Sequence, residues 1–257
     1  MASWSFEPIG VVQSCFAEKF GTPKQGRISP NSRAVIKLSE HLDAPAMLDG
    51  LQAFSHIWLL WVFHANSNRA SLKKVRPPRL AGEKAGVFAS RSPHRPNPIG
   101  LSAVRLDKIE GSILHISGVD LISGTPVLDI KPYIPEWDSL PEASDGWLSQ
   151  HPDPIYSVTF SPLALETMKA LEAEQFLALP LNEIQSAIRE CLERDPRPTP
   201  YRRLEAKQSP NIKDGYGFEI YGLNVCFQWE GNGFLVTRVE RTTKESTNDT
   251  GPNHSAD

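Results

Sequence analysis

The chain up to about residue 140 consists of short apolar runs separated by polar turns rich in Gly and Pro. These runs predict strands at 6–15, 34–38, 54–63, 101–109, 113–119 and after the turn at 123–126. Many short strands with almost no helix between them indicate a closed or nearly closed β-barrel. We therefore expect a mainly β fold with a β-barrel-like N-terminal domain over residues 1–150.

The segment 54–63, FSHIWLLWVF, is apolar at nearly every position and contains two tryptophans. Such a run predicts a strand that is buried on both faces or lies at the seam of a barrel. His64 and Asn66 follow it directly, and polar residues at the end of a buried strand often line a site. For His56 and His64 the alternative, a core or rim histidine bonded to the backbone, stays open.

The sequence changes character at 140–154, where periodicity is lost and Pro, Asp, Ser and Gly accumulate. A domain boundary is expected there. Beyond it we predict a small α+β domain over 155–241 and a disordered polar tail over 242–257.

Two helices are predicted at the start of the second domain. Ser161 and Pro162 form an N-cap and first-turn pair for a helix that runs to about Ala178. Asn182 followed by Gln185 resembles the capping box of a second helix. That helix has an apolar stripe at Ile184, Ala187, Ile188, Cys191 and Leu192. Three strands follow, at 216–220, 223–229 and 234–239, with a Gly-Asn-Gly turn between the last two.

The loop Gly86 to Gly100, GVFASRSPHRPNPIG, combines many hydrogen-bond donors with three prolines. Residues 87–89 predict the end of a short buried strand. The prolines fix three φ angles and push the preceding residues toward extended conformations. Because the loop is already stiff, its donors lose little conformational entropy when they bind a ligand, which suits an anionic or zwitterionic one. The alternative is a Pro-rich turn whose arginines face water.

The segment after the turn at 123–126 predicts a strand with two unlike faces. Leu128 and Ile130 share one face, which we expect to be buried, and Asp129, Lys131 and Tyr133 share the other. A face that carries an acid, a base and a phenol either meets solvent or lines a site, and we favour the site.

Composition excludes several classes of protein. No apolar run approaches the about 18–20 residues of a membrane helix, and the N-terminus lacks the build of a signal peptide, so we expect a cytoplasmic protein. Its three cysteines are isolated and lack metal-type spacing. The nucleotide-binding G-x-G-x-x-G, the P-loop and the H-E-x-x-H motif are absent from the sequence.

Positive charge is concentrated in one window although the net charge is −3. Between Lys19 and Arg95 the sequence has thirteen Lys/Arg against four Asp/Glu. A local basic surface for phosphate is therefore available, unless these residues scatter over several faces. The candidates for contact with an RNA backbone are Lys73, Lys74, Arg76, Arg79 and Arg95.

Five segments carry a resemblance to a known family. They are FSHIWLLWVFH (54–64), VRPPRLAG (75–82), GVFASRSPHRPNPIGLS (86–102), DLISGTPVLDIKPYIP (120–135) and ERDPRPTPYR (193–202). Together they resemble the TrmO (TsaA/YaeB-like) family over nearly the whole chain. One departure is Ser123, where the DGTP pattern has an acidic residue.

The resemblance implies an S-adenosylmethionine-dependent tRNA methyltransferase with a single-sheeted β-barrel that acts as a homodimer. The implied substrate is threonylcarbamoyl-adenosine in the anticodon loop of tRNA, methylated on its exocyclic nitrogen. The residues implied in the cofactor pocket are Lys24, Gln25, Gly26, His64, Ala65, Asn66, Arg91, Leu101, Asp120, Leu121, Val127, Leu128, Asp129 and Ile130. Residues implied in holding the anticodon loop are Asp195, Arg197, Tyr201 and Arg202.

Methyl transfer from a sulfonium needs alignment of nucleophile, methyl group and sulfur, and no metal or covalent nucleophile. Arg91 or Arg95 would pair with the methionine carboxylate, and Phe88 or Tyr133 would face the sulfonium. The attacked nitrogen is amide-like, so a proton acceptor would help. The candidates, in order, are Asp129, His64 and Tyr133.

Two other classes of function remain open. A non-catalytic RNA-binding adaptor would use the same basic window. A metal-dependent hydrolase would use His56, His64 and His94, although their spacing indicates no neighbouring residues that would hold them as metal ligands.

Overall fold

The computed structural model describes residues 4–66, 72–80, 82–197 and 215–242. Within them the strands are β1 (Gly10–Ser14), β2 (Arg33–Leu38), β3 (His56–Val62), β4 (Lys74–Val75), β5 (Ala85–Gly86), β6 (Ile99–Glu110), β7 (Ile113–Ser117), β8 (Pro126–Pro132), β9 (Ser157–Phe160), β10 (Tyr216–Ile220), β11 (Leu223–Glu230) and β12 (Gly233–Arg241). The α-helices are α1 (Ala44–Met47), α2 (Pro135–Asp138), α3 (Pro162–Ala173) and α4 (Leu181–Leu192). Single 3-10 turns lie at Gly26–Ile28, Leu51–Ala53, Pro78–Leu80, Val87–Ala89 and Gly146–Leu148.

Six strands close into an antiparallel barrel in the order β1-β2-β7-β6-β3-β8. Alternate residues of these strands point inward, and the interior is filled by apolar side chains. Those with at most 1% exposure include Val12, Ile36, Ile57, Leu59, Val104, Leu114, Ile116 and Val127. The predicted mainly β fold with a barrel in the N-terminal half is confirmed.

The strand directions place three long connections at one end of the barrel. Ser14 pairs with Ala34, Ser117 with Arg33, and Val62 with Ile99. The β1–β2, β3–β6 and β7–β8 connections therefore leave from the same rim. Loops gathered on a closed scaffold commonly carry a site.

The second half of the chain packs two helices against a sheet of order β10-β11-β12-β9. The Ser161 hydroxyl accepts from the Ala164 N–H at 3.1 Å and caps α3, as predicted. Strand β9 runs parallel to β12 and was not predicted, because its polar-apolar alternation spans only four residues, SVTF, which is too short to distinguish from a loop.

Two details of the predicted second domain are wrong. Helix α3 ends at Ala173, not near Ala178. Helix α4 begins at Leu181 after Pro180, so Asn182 lies inside its first turn and forms no capping box. The Leu181 N–H is instead satisfied by Glu172 Oε1 at 3.1 Å.

Three strand predictions in the first half also need correction. Residues 87–89 form a 3-10 turn, with Phe88 78% exposed, because the chain must bend there after β5. In β3 only alternate residues are buried, so it has one interior face. In β8 a bulge near Leu128 shifts the register, and Val127 rather than Leu128 shares the interior face with Ile130.

The two halves share one continuous apolar core. Phe16 forms a β-bridge with Ile220, and the Tyr221 N–H donates to the Cys15 carbonyl at 2.9 Å. Glu190 of α4 accepts from the Ser29 hydroxyl at 3.1 Å and from the Asn31 amide side chain at 2.5 Å. Helix α4 therefore holds the β1–β2 connection in place. In the parts described, no helix is both long and apolar enough to span a bilayer.

Candidate cofactor site

Asp120 is the centre of a polar cluster at the rim of the barrel. It lies half-buried on the connection before β8. Its carboxylate accepts from the Ser102 hydroxyl at 2.6 Å and from the Gly26 N–H. Burial raises the pKa of Asp120 above its ordinary value, while these hydrogen bonds and the nearby Arg91 charge act in the opposite direction. The rim thus holds a carboxylate that is partly desolvated and ready to accept a hydrogen bond.

The loop that carries Gly26 packs backbone to backbone against the loop that carries Asp120. An added Cβ at Gly26 would lie 1.9 Å from the Gly118 carbonyl oxygen. Ser32, fully buried, reinforces this contact, because its hydroxyl accepts from the Val119 N–H at 2.8 Å and donates to the Ser29 carbonyl at 2.6 Å. The two loops are therefore held in one fixed arrangement.

Arg91 reaches this cluster from the β3–β6 connection. Its guanidinium donates to Gln25 Oε1. Of the predicted cofactor residues, the structure thus brings together Gln25, Gly26, Arg91 and Asp120, which come from three separate connections. Lys24 precedes Gln25 with its side chain exposed.

The turn 64–66 lies at the same rim. The position of an added Cβ at Gly124 is 3.6 Å from His64 Nε2, which puts His64 beside the turn that begins β8. Lys19 donates to the Ala65 carbonyl, and Asn66 Nδ2 donates to the Pro93 carbonyl at 3.3 Å. This turn connects the β1–β2 loop with the Pro-rich loop.

The Pro-rich loop is stiffened by its own hydrogen bonds as well as by proline. The Ser90 hydroxyl donates to the Val87 carbonyl at 2.9 Å. Arg95 donates to the carbonyls of Ser90 at 3.2 Å and Ser92 at 3.3 Å. Trp147 anchors the loop from outside, since its Nε1 donates to the Ala89 carbonyl at 3.0 Å. The Arg95 guanidinium is therefore used within the loop, whereas Arg91 points to the rim cluster.

A second group of predicted residues lies on the outer wall of the barrel. Leu60 pairs with Leu101 on one side and with Asp129 on the other, so these three residues form a row across β6, β3 and β8. Leu101 is 53% exposed. Asp129 forms an ion pair with Lys131 at 2.7 Å.

Tyr133 directly follows β8, and its ring centroid lies 5.4 Å from that of Trp58 in β3. Within the described residues no hydrogen bond joins Asp129 or Tyr133 to Asp120. The side chains of Leu121 and Val127 are buried in the core, so only their backbone groups can face a ligand.

Some of the predicted basic residues are exposed, and others are bonded to backbone carbonyls. Lys73 and Lys74 are exposed on and beside β4, and Arg76 is exposed with its Nε bonded to the Gly82 carbonyl at 3.2 Å. Arg79 donates to the carbonyls of His151 at 2.6 Å and Leu148 at 2.9 Å. It fastens the segment between the two halves of the chain.

The Asp195–Arg197 pair is buried, with side chains 5% exposed each. Arg197 donates to both carboxylate oxygens, at 2.7 and 3.0 Å, and its guanidinium lies 5.0 Å from the ring centroids of Trp229 and Phe234. Tyr201 and Arg202 lie outside the described residues, as does nearly all of the predicted tail.

Sequence reasoning missed four residues that build the site: Trp61, Ser102, Ser32 and Glu190. The first two were assigned only to strands, and Glu190 only to a helix. One signal was present, because Gly100 sits within an apolar strand pattern, and such a glycine often marks a close approach. An added Cβ at Gly100 would lie 2.2 Å from the Trp61 ring.

The fold and the rim cluster define the class of protein. It is a closed antiparallel β-barrel in which three connections meet at a site that carries both a positive and a negative side chain. The model of the tRNA-methyltransferase O N-terminal domain matches residues 11–139, and the TrmO C-terminal domain model matches residues 153–242. The chain therefore belongs to the tRNA-methyltransferase O family, which confirms the resemblance seen in its motifs.

Relatives match along almost the whole chain. The tRNA (adenine(37)-N6)-methyltransferase of Escherichia coli is 37% identical over 245 residues, covering 93% of this chain and 99% of that protein. A putative S-adenosylmethionine-dependent methyltransferase, RcsF, of Pseudomonas aeruginosa is 42% identical over 226 residues, covering 88% and 92%. The crystal structure of TrmO from Pseudomonas aeruginosa has a TM-score of 0.72 at 36% identity, covering 93% of this chain and 100% of that one.

Proposed function

We propose that the protein transfers a methyl group from S-adenosylmethionine to the exocyclic nitrogen of threonylcarbamoyl-adenosine beside the anticodon of tRNA, in the cytoplasm. Family membership supports the reaction class, and the names of the relatives support the adenine target. The observation that carries the proposal is the rim cluster, in which Arg91 bonds to Gln25 and its charge acts on the nearby Asp120 carboxyl.

The chemistry of the cluster fits the cofactor. S-adenosylmethionine carries a carboxylate, an ammonium group and ribose hydroxyls, and it supplies an electrophilic methyl group when bound. Arg91 is exposed and would pair with the carboxylate. Asp120 would accept from the ammonium group or from a ribose hydroxyl. Backbone groups at Leu121 and beside the bulge at Leu128 would hydrogen-bond the adenine edge, since a bulge leaves backbone groups unpaired.

The protein's task is to align the reacting groups, which can contribute about 7–11 kcal/mol to rate acceleration. The stiff Pro-rich loop and the Gly26–Gly118 contact fix the cofactor side of this alignment. We assign the proton acceptor to Asp129, with His64 and Tyr133 as alternatives. His64 is at the rim, whereas Asp129 and Tyr133 are on the outer wall, so a role for Asp129 requires the target nucleotide to lie across that wall.

We assign residues 1–150 to cofactor binding and 155–241 to tRNA binding. Lys73, Lys74 and Arg76 would contact the RNA backbone. Arg79 and Arg95 would act by holding their segments, because their guanidinium groups are bonded to backbone carbonyls. The buried Asp195–Arg197 pair would fix the start of the segment that carries Tyr201 and Arg202.

A homodimer is also part of this proposal. Ile99 and Leu101 expose 39% and 53% of their surface two residues apart on the outer face of β6, which suits an apolar contact. Leu101→Glu should give a monomer in sedimentation velocity, while Leu163→Glu, at an equally exposed leucine of α3, should not change the sedimentation coefficient.

The test of the reaction is methylation of tRNA with and without the threonylcarbamoyl group, followed by nucleoside mass spectrometry. We expect a mass increase of one methyl group on the modified adenosine alone. Equal methylation of both tRNAs would refute the substrate and keep the enzyme class. Binding of tRNA without any methyl transfer would support the RNA-binding adaptor instead.

A further inference from the structure

A directional chain of hydrogen bonds runs from the barrel interior to Asp120. Trp61 Nε1 donates to the Ser102 hydroxyl at 3.0 Å, and that hydroxyl donates to Asp120 Oδ1 at 2.6 Å. Trp61 and Ser102 are 8% and 5% exposed. An indole N–H can only donate, so the Ser102 oxygen must accept from Trp61. The single hydroxyl proton of Ser102 is therefore left for Asp120.

The placement of Ser102 has no packing explanation. It lies within β6, in register with Leu59, among buried apolar residues. Burial of a hydroxyl costs free energy unless it is hydrogen-bonded, and an alanine or valine would fill this position at no such cost. Both of its hydrogen bonds run to side chains, and one of these is the half-buried carboxylate of the rim.

The indole that begins the chain is itself held in one orientation. The Trp61 ring lies against the backbone of Gly100, where an added Cβ would be 2.2 Å from Cε2. The Phe63 ring packs edge-on with a centroid distance of 4.4 Å. These contacts hold the ring on two sides in the orientation that points Nε1 at Ser102.

We propose that Trp61 and Ser102 are positioning residues that orient the Asp120 carboxylate toward the cofactor, acting through the Ser102 hydroxyl proton. The inference rests on the proposed function, because it takes the rim cluster to be the cofactor site. Ser102 donates to Oδ1, so it fixes the orientation of the carboxylate and leaves Oδ2 without this partner and available to the ligand. The same hydrogen bond lowers the pKa of Asp120, opposing the effect of burial.

The proposal predicts that loss of this hydrogen bond weakens cofactor binding but hardly changes the turnover rate. Ser102→Ala removes the proton donor and leaves the Trp61 N–H without an acceptor. We expect the KM and Kd for S-adenosylmethionine to rise about tenfold, with kcat at saturating cofactor changed less than about twofold. Trp61→Phe keeps most of the ring but loses the donor, and we expect about a threefold rise in Kd.

The matched control is Ser117→Ala. Ser117 is also a buried barrel serine, 8% exposed, whose hydroxyl donates to an aspartate, Asp107, at 3.1 Å. It makes no contact with the rim carboxylate. The same chemical change there should leave the cofactor Kd unchanged, so the pair of variants separates positioning of Asp120 from the general cost of losing a buried hydroxyl.

The experiment is a double-mutant cycle with Asp120→Asn, read by calorimetric titration of S-adenosylmethionine and checked for folding by thermal melting. We expect Ser102→Ala to weaken binding in the parent and to have little further effect in the Asp120→Asn background. Equal losses in both backgrounds, or no loss in the parent, would overturn the proposal. If Ser102→Ala does not fold, the cycle is run with Trp61→Phe, under the same criteria.

The outcomes also separate this inference from the proposed function. If the wild-type protein binds S-adenosylmethionine but does not methylate the modified tRNA, the proposed function fails and the cycle still decides the role of Ser102. If the wild-type protein binds no S-adenosylmethionine, both fail.

Discussion

Gly26 lies so close to Gly118 that an added Cβ on Gly26 would be 1.9 Å from the Gly118 carbonyl oxygen. Gly118 has a φ of +69°, a conformation that side chains other than glycine rarely adopt. Two connections of the barrel therefore meet backbone to backbone at these glycines, and this contact brings Gln25 beside Arg91 and the Gly26 N–H to Asp120.

The Gly26–Gly118 contact predicts a loss of cofactor binding in Gly26→Ala. The added methyl group must push the two loops apart, because its neighbour is backbone and cannot rotate away. We expect the Kd for S-adenosylmethionine to rise at least about tenfold. Gly86→Ala is the control, since its φ is −59° and nothing lies within 4 Å of the added Cβ. Equal affinities of the two variants would contradict the rim site.

Glu190 predicts a clear difference in stability between two glutamates of α4. Glu190→Ala leaves the buried Ser29 hydroxyl and the Asn31 amide without acceptors, and should lower the free energy of unfolding by about 1–3 kcal/mol. Glu183→Ala breaks only an exposed ion pair with Arg33 and should cost at most about 1 kcal/mol. Urea denaturation measures both. The reverse order would mean that Glu190 does not hold the two halves together.

The exposed lysines of the β4 region predict a change in the salt dependence of tRNA binding. Lys73→Ala and Lys74→Ala should each lower the slope of log K against log salt by about 1 if each contacts one phosphate. Lys37→Ala, at an exposed site on β2, should leave the slope unchanged. Fluorescence anisotropy at several salt concentrations gives the slopes, and three equal slopes would exclude this surface.

The buried thiols predict a loss of folding stability at alkaline pH. Burial raises the pKa of Cys15 from 9.0 to about 11, and burial also raises that of Cys191. Because the folded-state pKa is raised, the stabilising effect of the neutral Cys15 thiol is complete below pH 9 and is lost as pH rises through 11.

We therefore expect the free energy of unfolding to fall between pH 9 and 11, and to fall less in Cys15→Ala. At pH 8 a thiol reagent should label the native protein at Cys226 before Cys15, although both are half-buried, because the raised pKa of Cys15 keeps its thiol protonated. The buried Cys191 should also react after Cys226. Peptide mapping after labelling would identify the modified residue, and early labelling of Cys15 would contradict its low reactivity.

Local patterns predicted most strands because the barrel strands are short apolar or alternating runs bounded by Gly- and Pro-rich turns, a signal that needs no tertiary context. The bulge near Leu128 was not predictable, since a one-residue register shift leaves no local trace. The 3-10 turn at Val87–Ala89 resembled a strand end because its three residues are apolar, yet Phe88 faces outward.

Four of the predicted cofactor residues, Gln25, Gly26, Arg91 and Asp120, come from three connections and lie together at the rim. The family motifs identified these residues as candidates. Only the barrel topology explains why Arg91 contacts Gln25, which lies 66 positions earlier in the sequence. Trp61 and Ser102 escaped notice because their hydrogen-bond partners are distant in sequence: Trp61 is 41 positions from Ser102, and Ser102 is 18 positions from Asp120. The sequence alone suggests that three arginines, Arg79, Arg95 and Arg197, are surface charges. In the structure they donate hydrogen bonds to carbonyl or carboxylate oxygens, and these bonds depend on tertiary contacts.

Calorimetric titration of S-adenosylmethionine into the wild-type protein and two arginine variants tests the rim site most directly. Arg91 reaches the cluster, whereas Arg105 lies on the barrel surface, 68% exposed and paired with Asp107 at 3.2 Å. Saturable binding is expected for the wild-type protein, with an affinity about tenfold lower in Arg91→Ala and unchanged in Arg105→Ala. Equal affinities for all three proteins, or no binding at all, would contradict the assignment of the rim cluster as the cofactor site.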